Sequence, residues 1–88
     1  MDTILILLKL DLGITHNLRD LYFFTLIESS IAILKSKGIE IQEENAEDQM
    51  LVSDYSAWIY RKRMEDVPIS QNLKQRIMDR KVKKRAKD

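Results

Sequence analysis

The scarcity of turn-forming residues most limits what this chain can fold into. Glycine and proline occur at three places among 88 residues, namely Gly13, Gly38 and Pro68. Because these residues build most tight turns, a fold of many short strands would leave most of its turns without them. The sequence therefore predicts an all-α domain, a small bundle of about four helices. Helices two and three are expected to be long and central, followed by a basic C-terminal helix or tail.

The length and composition limit the domain count and the class of site. A chain of 88 residues is long enough for one domain with a single core, which we place at residues 1–80, and residues 81–88 are expected to form a flexible basic tail. The absence of cysteine excludes disulfides and thiolate metal sites and is typical of a reducing cytoplasm. The apolar run Ile4–Leu8 is far shorter than the roughly 20 residues that span a bilayer. No positive residues precede it, so we expect no secretory signal.

The first fourteen residues allow two secondary structures. A helix capped by Asp2 or Thr3 would place Leu5, Leu8 and Leu12 on one face and end at Gly13. A buried strand over residues 4–8 is the alternative. We favour the helix, because no second strand is evident to pair with this one.

The second segment predicts the broadest apolar helix face in the chain. Asn17 and Asp20 have N-cap and N3 spacing and Gly38 follows the last turn, so a helix is expected from Asn17 to Lys37. Its apolar stripe covers roughly half the circumference, which predicts contact with more than one neighbour. The expected core residues are Phe23, Ile27, Ile31 and Leu34. Two alternatives stay open for the rest: an entirely intramolecular core, or contact with another subunit through Tyr22, Leu26 and Ile33.

The third segment predicts a helix over Asn45–Glu65 that buries a narrow stripe. Asn45 and Asp48 again have N-cap and N3 spacing. The expected core residues lie within about 120° of the helical wheel: Leu51, Val52, Tyr55, Trp58 and Ile59. Tyr60 falls outside this stripe, beside Ser53 and Ser56, and is the first candidate for a partner contact, together with Arg61 and Arg63. The acidic residues around this helix start (Glu40, Glu43, Glu44, Glu47 and Asp48) lack calcium-loop order and are expected to be solvated.

Charge divides the chain unevenly. Residues 1–60 hold four Lys/Arg against ten Asp/Glu, a net of −6, whereas residues 61–88 hold eleven against four, a net of +7. Such a division suits head-to-tail association or an acidic body with a basic arm. Ser70 can cap a fourth helix with Leu73 and Ile77 facing inward. The cations of this segment are candidates for contacts with phosphates or an acidic partner: Lys74, Arg76, Arg80, Lys81, Lys83, Lys84, Arg85 and Lys87.

The sequence contains no recognisable catalytic pattern. His16, the single histidine, precedes a helix without a paired acid, and no glycine-rich phosphate loop, Gly-x-Ser-x-Gly motif or zinc spacing occurs. The loop between helices two and three is too long for a helix-turn-helix, whose recognition helix would also not begin with acids. We therefore expect no enzyme, no cofactor and no metal.

The order of these pieces resembles a known family of small phage proteins. The residues that match its pattern are Leu8, Lys9, Leu12, Gly13 and Ile14, then Asp20, Leu26, Ile27, Leu34, Gly38 and Ile39, then Asp48, Leu51, Val52, Tyr55, Trp58, Tyr60, Arg61, Lys62 and Arg63, and finally Pro68, Leu73, Ile77 and Arg80. This pattern, over residues 4–80, is similar to the head–tail connector (DNA-packaging) proteins of tailed bacteriophages. Its most specific part is the tyrosine–tryptophan–basic run of the third helix.

The resemblance implies a structural protein of the virion, present in the host cytoplasm during assembly. Members of this family are α-helical and assemble as a ring of about a dozen copies on the portal protein. The ring extends the DNA channel during head completion and receives the next neck or tail component. The resemblance implies neither a membrane nor a small-molecule substrate. From the residues alone, the alternative is a small nucleic-acid-binding protein whose basic C-terminal helix contacts phosphates.

Overall fold

The computed structural model describes the backbone of residues 2–87 and the side chains of residues 2–81. Residues 2–87 form four α-helices and no strand: α1 (Asp2–Leu12), α2 (Asp20–Ser36), α3 (Ala46–Glu65) and α4 (Gln71–Lys87). The all-α prediction is thus confirmed. The strand alternative for residues 4–8 is wrong, since these residues lie inside α1.

Contacts between side chains fix the relative directions of the helices. Asp11 of α1 pairs with Arg61 of α3, so α1 and α3 both finish at one end of the molecule. On α2, Tyr22 contacts Tyr60 of α3 and the later Ser30 contacts the earlier Ser56, so α2 runs antiparallel to α3. On α4, Arg76 pairs with Asp54 and the later Arg80 pairs with the earlier Asp48, so α4 is antiparallel to α3 as well. We call the end where α1 and α3 finish the Arg61 end. The opposite end, where α2 and α4 finish and α3 begins, is the Asn45 end.

Helix α3 is central, because it contacts α1, α2 and α4, whereas α4 contacts no helix except α3 within residues 2–87. The expected narrow stripe on α3 is therefore wrong. Ser53 and Ser56 are buried with Ala57, on the side expected to be wet. The Ser56 hydroxyl donates to Ser30 Oγ at 2.8 Å, and Ser30 donates to the Leu26 carbonyl at 2.9 Å, so both buried hydroxyls are bonded.

The expected core is largely present, with one reassigned residue. Six of its members are buried: Phe23, Ile27, Leu34, Leu51, Val52 and Tyr55. Ile31, Trp58 and Ile59 are partly buried against that cluster. Leu26, expected as a possible subunit contact, is buried at 6% exposure inside the same core and is not available to a partner. Tyr22 and Ile33 are half-buried.

Local signals fixed most helix ends. Asn45 Oδ1 accepts from the Asp48 amide at 3.1 Å, and Ser70 Oγ accepts from the Leu73 amide at 3.1 Å, as N-caps do. Gly38 follows α2 with a φ of 89°, a conformation that favours glycine. The Asn17 cap is wrong: α2 begins at Asp20 after Arg19, and no side chain caps it. Asn17 instead accepts from the Lys9 ammonium at 3.0 Å, joining α1 to the loop.

The C-terminal segment is helical further than expected. The backbone of α4 is helical to Lys87, so residues 81–87 continue the helix, and their flexibility in solution stays a prediction. The candidate contacts Lys83, Lys84, Arg85 and Lys87 lie outside the described side chains. Leu73 and Ile77 are buried, as expected of the inward residues of α4.

Candidate interaction surfaces

A cluster of arginines and tyrosines covers the Arg61 end. The arginine–tyrosine cluster consists of Arg19, Tyr22, Tyr60 and Arg63. The Arg19 guanidinium carbon lies 4.6 Å from the centre of the Tyr22 ring, and Arg19 donates to the Tyr60 hydroxyl at 3.5 Å. Arg63 donates to the Tyr22 hydroxyl at 2.8 Å. Two exposed cations are therefore held by aromatic neighbours before any partner arrives.

The charges of this cluster are not neutralised within the described side chains. No carboxylate of residues 2–81 forms an ion pair with Arg19 or Arg63. Planar guanidinium groups bind carboxylates and phosphates through two parallel hydrogen bonds. The cluster is thus suited to an anionic group on a partner.

Tyr60 differs from the expected free aromatic residue. Its side chain is half-buried, with its ring centre 5.6 Å from that of Phe23 and 6.4 Å from that of Tyr22. The helical wheel of α3 placed Tyr60 beside Ser53 and Ser56 and indicated exposure, but both serines are buried, and Ser56 contacts Ser30 of α2. Tyr60 therefore contributes to packing as well as to the surface.

The two remaining basic residues of the run at the end of α3 have intramolecular partners. Arg61 pairs with the Asp11 carboxylate at 3.1 Å and also donates to the Asp11 carbonyl at 3.3 Å. The Lys62 ammonium lies 5.1 Å from the Trp58 ring centre. Trp58 donates to the Val67 carbonyl at 3.0 Å, which ties the α3–α4 connection to α3. Of the expected partner residues, Arg63 is the most available.

Two cations of α4 are occupied by acids of α3. Arg76 pairs with Asp54 at 2.6 Å, and Arg80 pairs with Asp48, which is 4% exposed. Asp48 also accepts from the backbone N–H of Gln42 at 2.8 Å. This carboxylate is therefore a buried acceptor, and the expectation that it is solvated is wrong. Among the phosphate candidates with described side chains, Lys74 is exposed and Lys81 is half-buried. Within residues 71–81, the α4 surface left for phosphates is therefore smaller than the sequence indicated.

Two leucines that sequence reasoning missed are among the most exposed apolar residues of the described part of the chain. Leu18 is 88% exposed and Leu21 is 80% exposed, on the turn before α2 and its first turn. We call this pair the leucine knob; it flanks Arg19 at the Arg61 end. The sequence does indicate that Leu21 is exposed. At helical spacing it lies on the same face as Thr25 and Glu28, and that face is otherwise polar.

A groove of about 620 Å³ lies between α3 and α4 near the Asn45 end. The α3–α4 groove is lined by Ala46, Glu47, Met50, Leu51, Arg76, Asp79 and Arg80. Met50 gives this groove accessible apolar surface, since its side chain is 45% exposed. A second, smaller cavity of about 300 Å³ lies toward the Arg61 end, beside Trp58 and Pro68. Both are open concave surfaces rather than enclosed cavities.

Among residues 2–81, no group of three or more His, Cys, Asp or Glu side chains is placed to hold a metal ion. Burial raises the pKa of the Tyr55 hydroxyl above its ordinary value. Within the described helices, none is both long and apolar enough to cross a membrane.

Comparison with other proteins does not identify a family. No family model, curated protein or solved structure matches this chain.

Proposed function

We propose that this chain is a structural subunit of the head–tail connector of a tailed bacteriophage. In this proposal, about a dozen copies form a ring on the portal protein, extend the DNA channel during head completion and receive the next neck or tail component. The protein acts in the host cytoplasm during assembly and then stays in the virion. It catalyses no reaction.

The observation that carries the proposal is the surface at the Arg61 end. There the tyrosine–tryptophan–basic run, the most specific part of the resemblance, lies beside the leucine knob. Arginine and tyrosine are enriched at protein–protein contacts that contribute most to binding. Two leucines that are each at least 80% exposed favour a protein partner over a purely ionic one.

The alternative function, binding of nucleic acid through α4, has weaker support. Arg76 and Arg80 face the acids of α3 and would have to leave Asp54 and Asp48 to reach a phosphate. The exposed Lys74 and the basic composition of residues 81–88 keep this alternative worth testing. Such binding would weaken steeply with salt, since each phosphate contact releases counterions.

The decisive experiment mixes the purified chain with portal particles from the genome that encodes it. Co-sedimentation with the portal, and a ring added to it in electron micrographs, are the expected results. Arg63→Ala should weaken the association, because it removes an unpaired cation without removing a buried side chain. Tyr60→Ala is less informative, since loss of its half-buried ring would also destabilise the fold.

The controls separate the two functions. Lys74→Ala removes an exposed cation from α4 and should leave portal association unchanged. Tight binding of DNA by the isolated chain, lost with Lys74→Ala or on deletion of residues 81–88, would support the alternative instead. An intact chain that does not associate with the portal would contradict the connector function.

A further inference from the structure

The leucine knob has the chemistry of an inserting element. Leu18 and Leu21 project from the start of α2 with 88% and 80% of their surface exposed. Arg19 lies between them in the chain, and it forms no ion pair with a carboxylate of residues 2–81. The knob therefore offers apolar surface next to an unneutralised positive charge.

The α3–α4 groove has the opposite character. Ala46, Met50 and Leu51 give it apolar surface, and Glu47 and Asp79 add two carboxylates. Its arginines, Arg76 and Arg80, are paired with Asp54 and Asp48, so their charges are already balanced. No cation of residues 2–81 forms an ion pair with Glu47 or Asp79. Asp79 accepts a hydrogen bond from the Gln75 side chain at 2.9 Å, which leaves its charge in place. The groove thus offers apolar contact beside two negative charges that no cation of residues 2–81 neutralises.

Knob and groove cannot meet within one chain. The knob lies at the Arg61 end, and the groove lies near the Asn45 end of α3. A helix of 20 residues, such as α3, is about 30 Å long. Complementary surfaces at separate places on one molecule produce heterologous contacts, which close into rings or continue as filaments.

We propose that the leucine knob of one copy docks into the α3–α4 groove of a second copy. Leu18 and Leu21 enter the groove against Met50, and Arg19 approaches Glu47 and Asp79. This contact rests on the proposed function and adds detail to it, because it names the two surfaces that join neighbouring subunits of the ring. The partner is a second copy of this chain, because the knob and the groove both offer apolar surface and carry charges of opposite sign.

A symmetric contact of knob with knob is less favourable. It would bring Arg19 of one copy toward Arg19 of the other, with Arg63 of each copy nearby. Like charges brought together at an interface lower affinity and suppress that arrangement. The heterologous contact avoids this repulsion.

Cysteine cross-linking tests the contact, since the natural chain has no cysteine. Leu21→Cys and Met50→Cys proteins are mixed under mild oxidation, and the rate of heterodimer formation is measured. We expect it to exceed by roughly tenfold or more that of a control mixture of Ile6→Cys and Met50→Cys, because docking raises the effective concentration of the two thiols. Ile6 is a matched control: it is apolar, helical and 58% exposed, but lies outside the knob.

A chain carrying both Leu21→Cys and Met50→Cys gives a second result. It should form a ladder of oligomers faster than a chain carrying both Ile6→Cys and Met50→Cys, whereas each single-cysteine chain can form dimers at most. An intramolecular disulfide is excluded, because the two positions lie at opposite ends of the molecule and a disulfide needs Cα atoms within about 7 Å. Equal rates for the knob and control mixtures would overturn the proposal. Faster homodimers of Leu21→Cys alone would do the same, because they indicate knob–knob contact.

Charge reversal gives an independent check on the same contact. Arg19→Glu and Glu47→Arg should each reduce association when alone, and a mixture of the two should restore it. Failure of the mixture to associate would contradict the pairing. None of these tests uses the portal, so a ladder without portal binding would contradict the connector function alone, and portal binding without a ladder would contradict the knob–groove contact alone.

Discussion

At the scale of single residues, Ser30 and Ser56 show how α2 and α3 approach each other. Small side chains let the two helices pack closely, and the hydroxyls satisfy each other at 2.8 Å where water is excluded. The Ser30 hydroxyl in turn donates a hydrogen bond to the Leu26 carbonyl. Ser30 is therefore the more important partner, because Ser56 depends on it for an acceptor, whereas Ser30 keeps its bond to Leu26 without Ser56.

This dependence predicts an asymmetric pair of substitutions. Ser56→Ala should lower the free energy of unfolding by about 0.5–1 kcal/mol, and Ser30→Ala by about 1–3 kcal/mol, since it leaves a buried hydroxyl without its acceptor. The double variant should lose less than the sum of the two. Urea unfolding of all four chains measures this coupling, and additive losses would show that the two hydroxyls act independently.

Tyr55 predicts a stability loss at alkaline pH. Burial raises the pKa of its hydroxyl above the ordinary value of 10.0, so the folded chain keeps this proton after the unfolded chain has released it. The stabilisation is therefore complete below pH 10 and is lost as pH rises from there through the folded pKa. Urea unfolding from about pH 9 to about pH 11 should show a shallower fall for Tyr55→Phe than for the natural chain. Parallel curves would assign the fall to other groups.

At the scale of the element, α4 is attached to α3 by two ion pairs of different burial. Asp48 is 4% exposed and accepts from both Arg80 and the backbone N–H of Gln42. The Asp54 and Arg76 side chains, by contrast, are 32% and 36% exposed. Burial removes the competition from water that weakens exposed pairs. The inner pair, Asp48–Arg80, should therefore contribute more to stability than the outer pair.

Matched alanine substitutions test that difference. Asp48→Ala should cost about 2–3 kcal/mol of the free energy of unfolding, since it leaves Arg80 and a backbone amide without their acceptor. Asp54→Ala should cost about 0.5–1 kcal/mol, as exposed pairs do. Chemical denaturation compares the two directly. Equal losses would mean that burial does not distinguish the pairs.

Helix ends could be predicted from the sequence where a residue at or next to the end determines them. The caps Asn45 and Ser70 and the glycine after α2 act within a few residues, and the ends that they predicted are present. The start of α2 was missed because Asn17 is engaged by Lys9, a contact across eight residues that local spacing does not encode. The width of the buried face on α3 was missed because serine counts as polar on a helical wheel, although a serine hydroxyl can be satisfied by a neighbouring helix.

The candidate surfaces were predictable in part for the same reason. Arg63 was identified from its place in the basic run of α3 and is exposed next to Tyr22. The sequence predicts Arg76 and Arg80 as contacts for phosphates, because it does not reveal the acids that pair with them 22 and 32 residues earlier in the chain. The leucine knob was overlooked, although Leu21 on a polar helix face was visible in the sequence.

At the scale of the whole molecule, two cations of the basic C-terminal segment lie against acids of α3 rather than apart from them. Because α4 returns along α3, Arg76 and Arg80 pair with Asp54 and Asp48. The Asn45 end thus holds acids from the α2–α3 loop together with Arg80 of α4. An acidic body with a basic arm stays a prediction, because Lys83, Lys84, Arg85 and Lys87 lie outside the described side chains.

Because α3 is the only helix of residues 2–87 that α4 contacts, α4 should open locally before the rest of the bundle unfolds. An element with one neighbour can detach while α1, α2 and α3 stay packed, so its amide protons should exchange with deuterium at a lower free energy than those of α3. Added salt should speed exchange in α4 selectively, because it weakens the partly exposed Asp54–Arg76 pair. Hydrogen–deuterium exchange by mass spectrometry resolves the two helices. Uniform exchange over both would show that the four helices open as one unit.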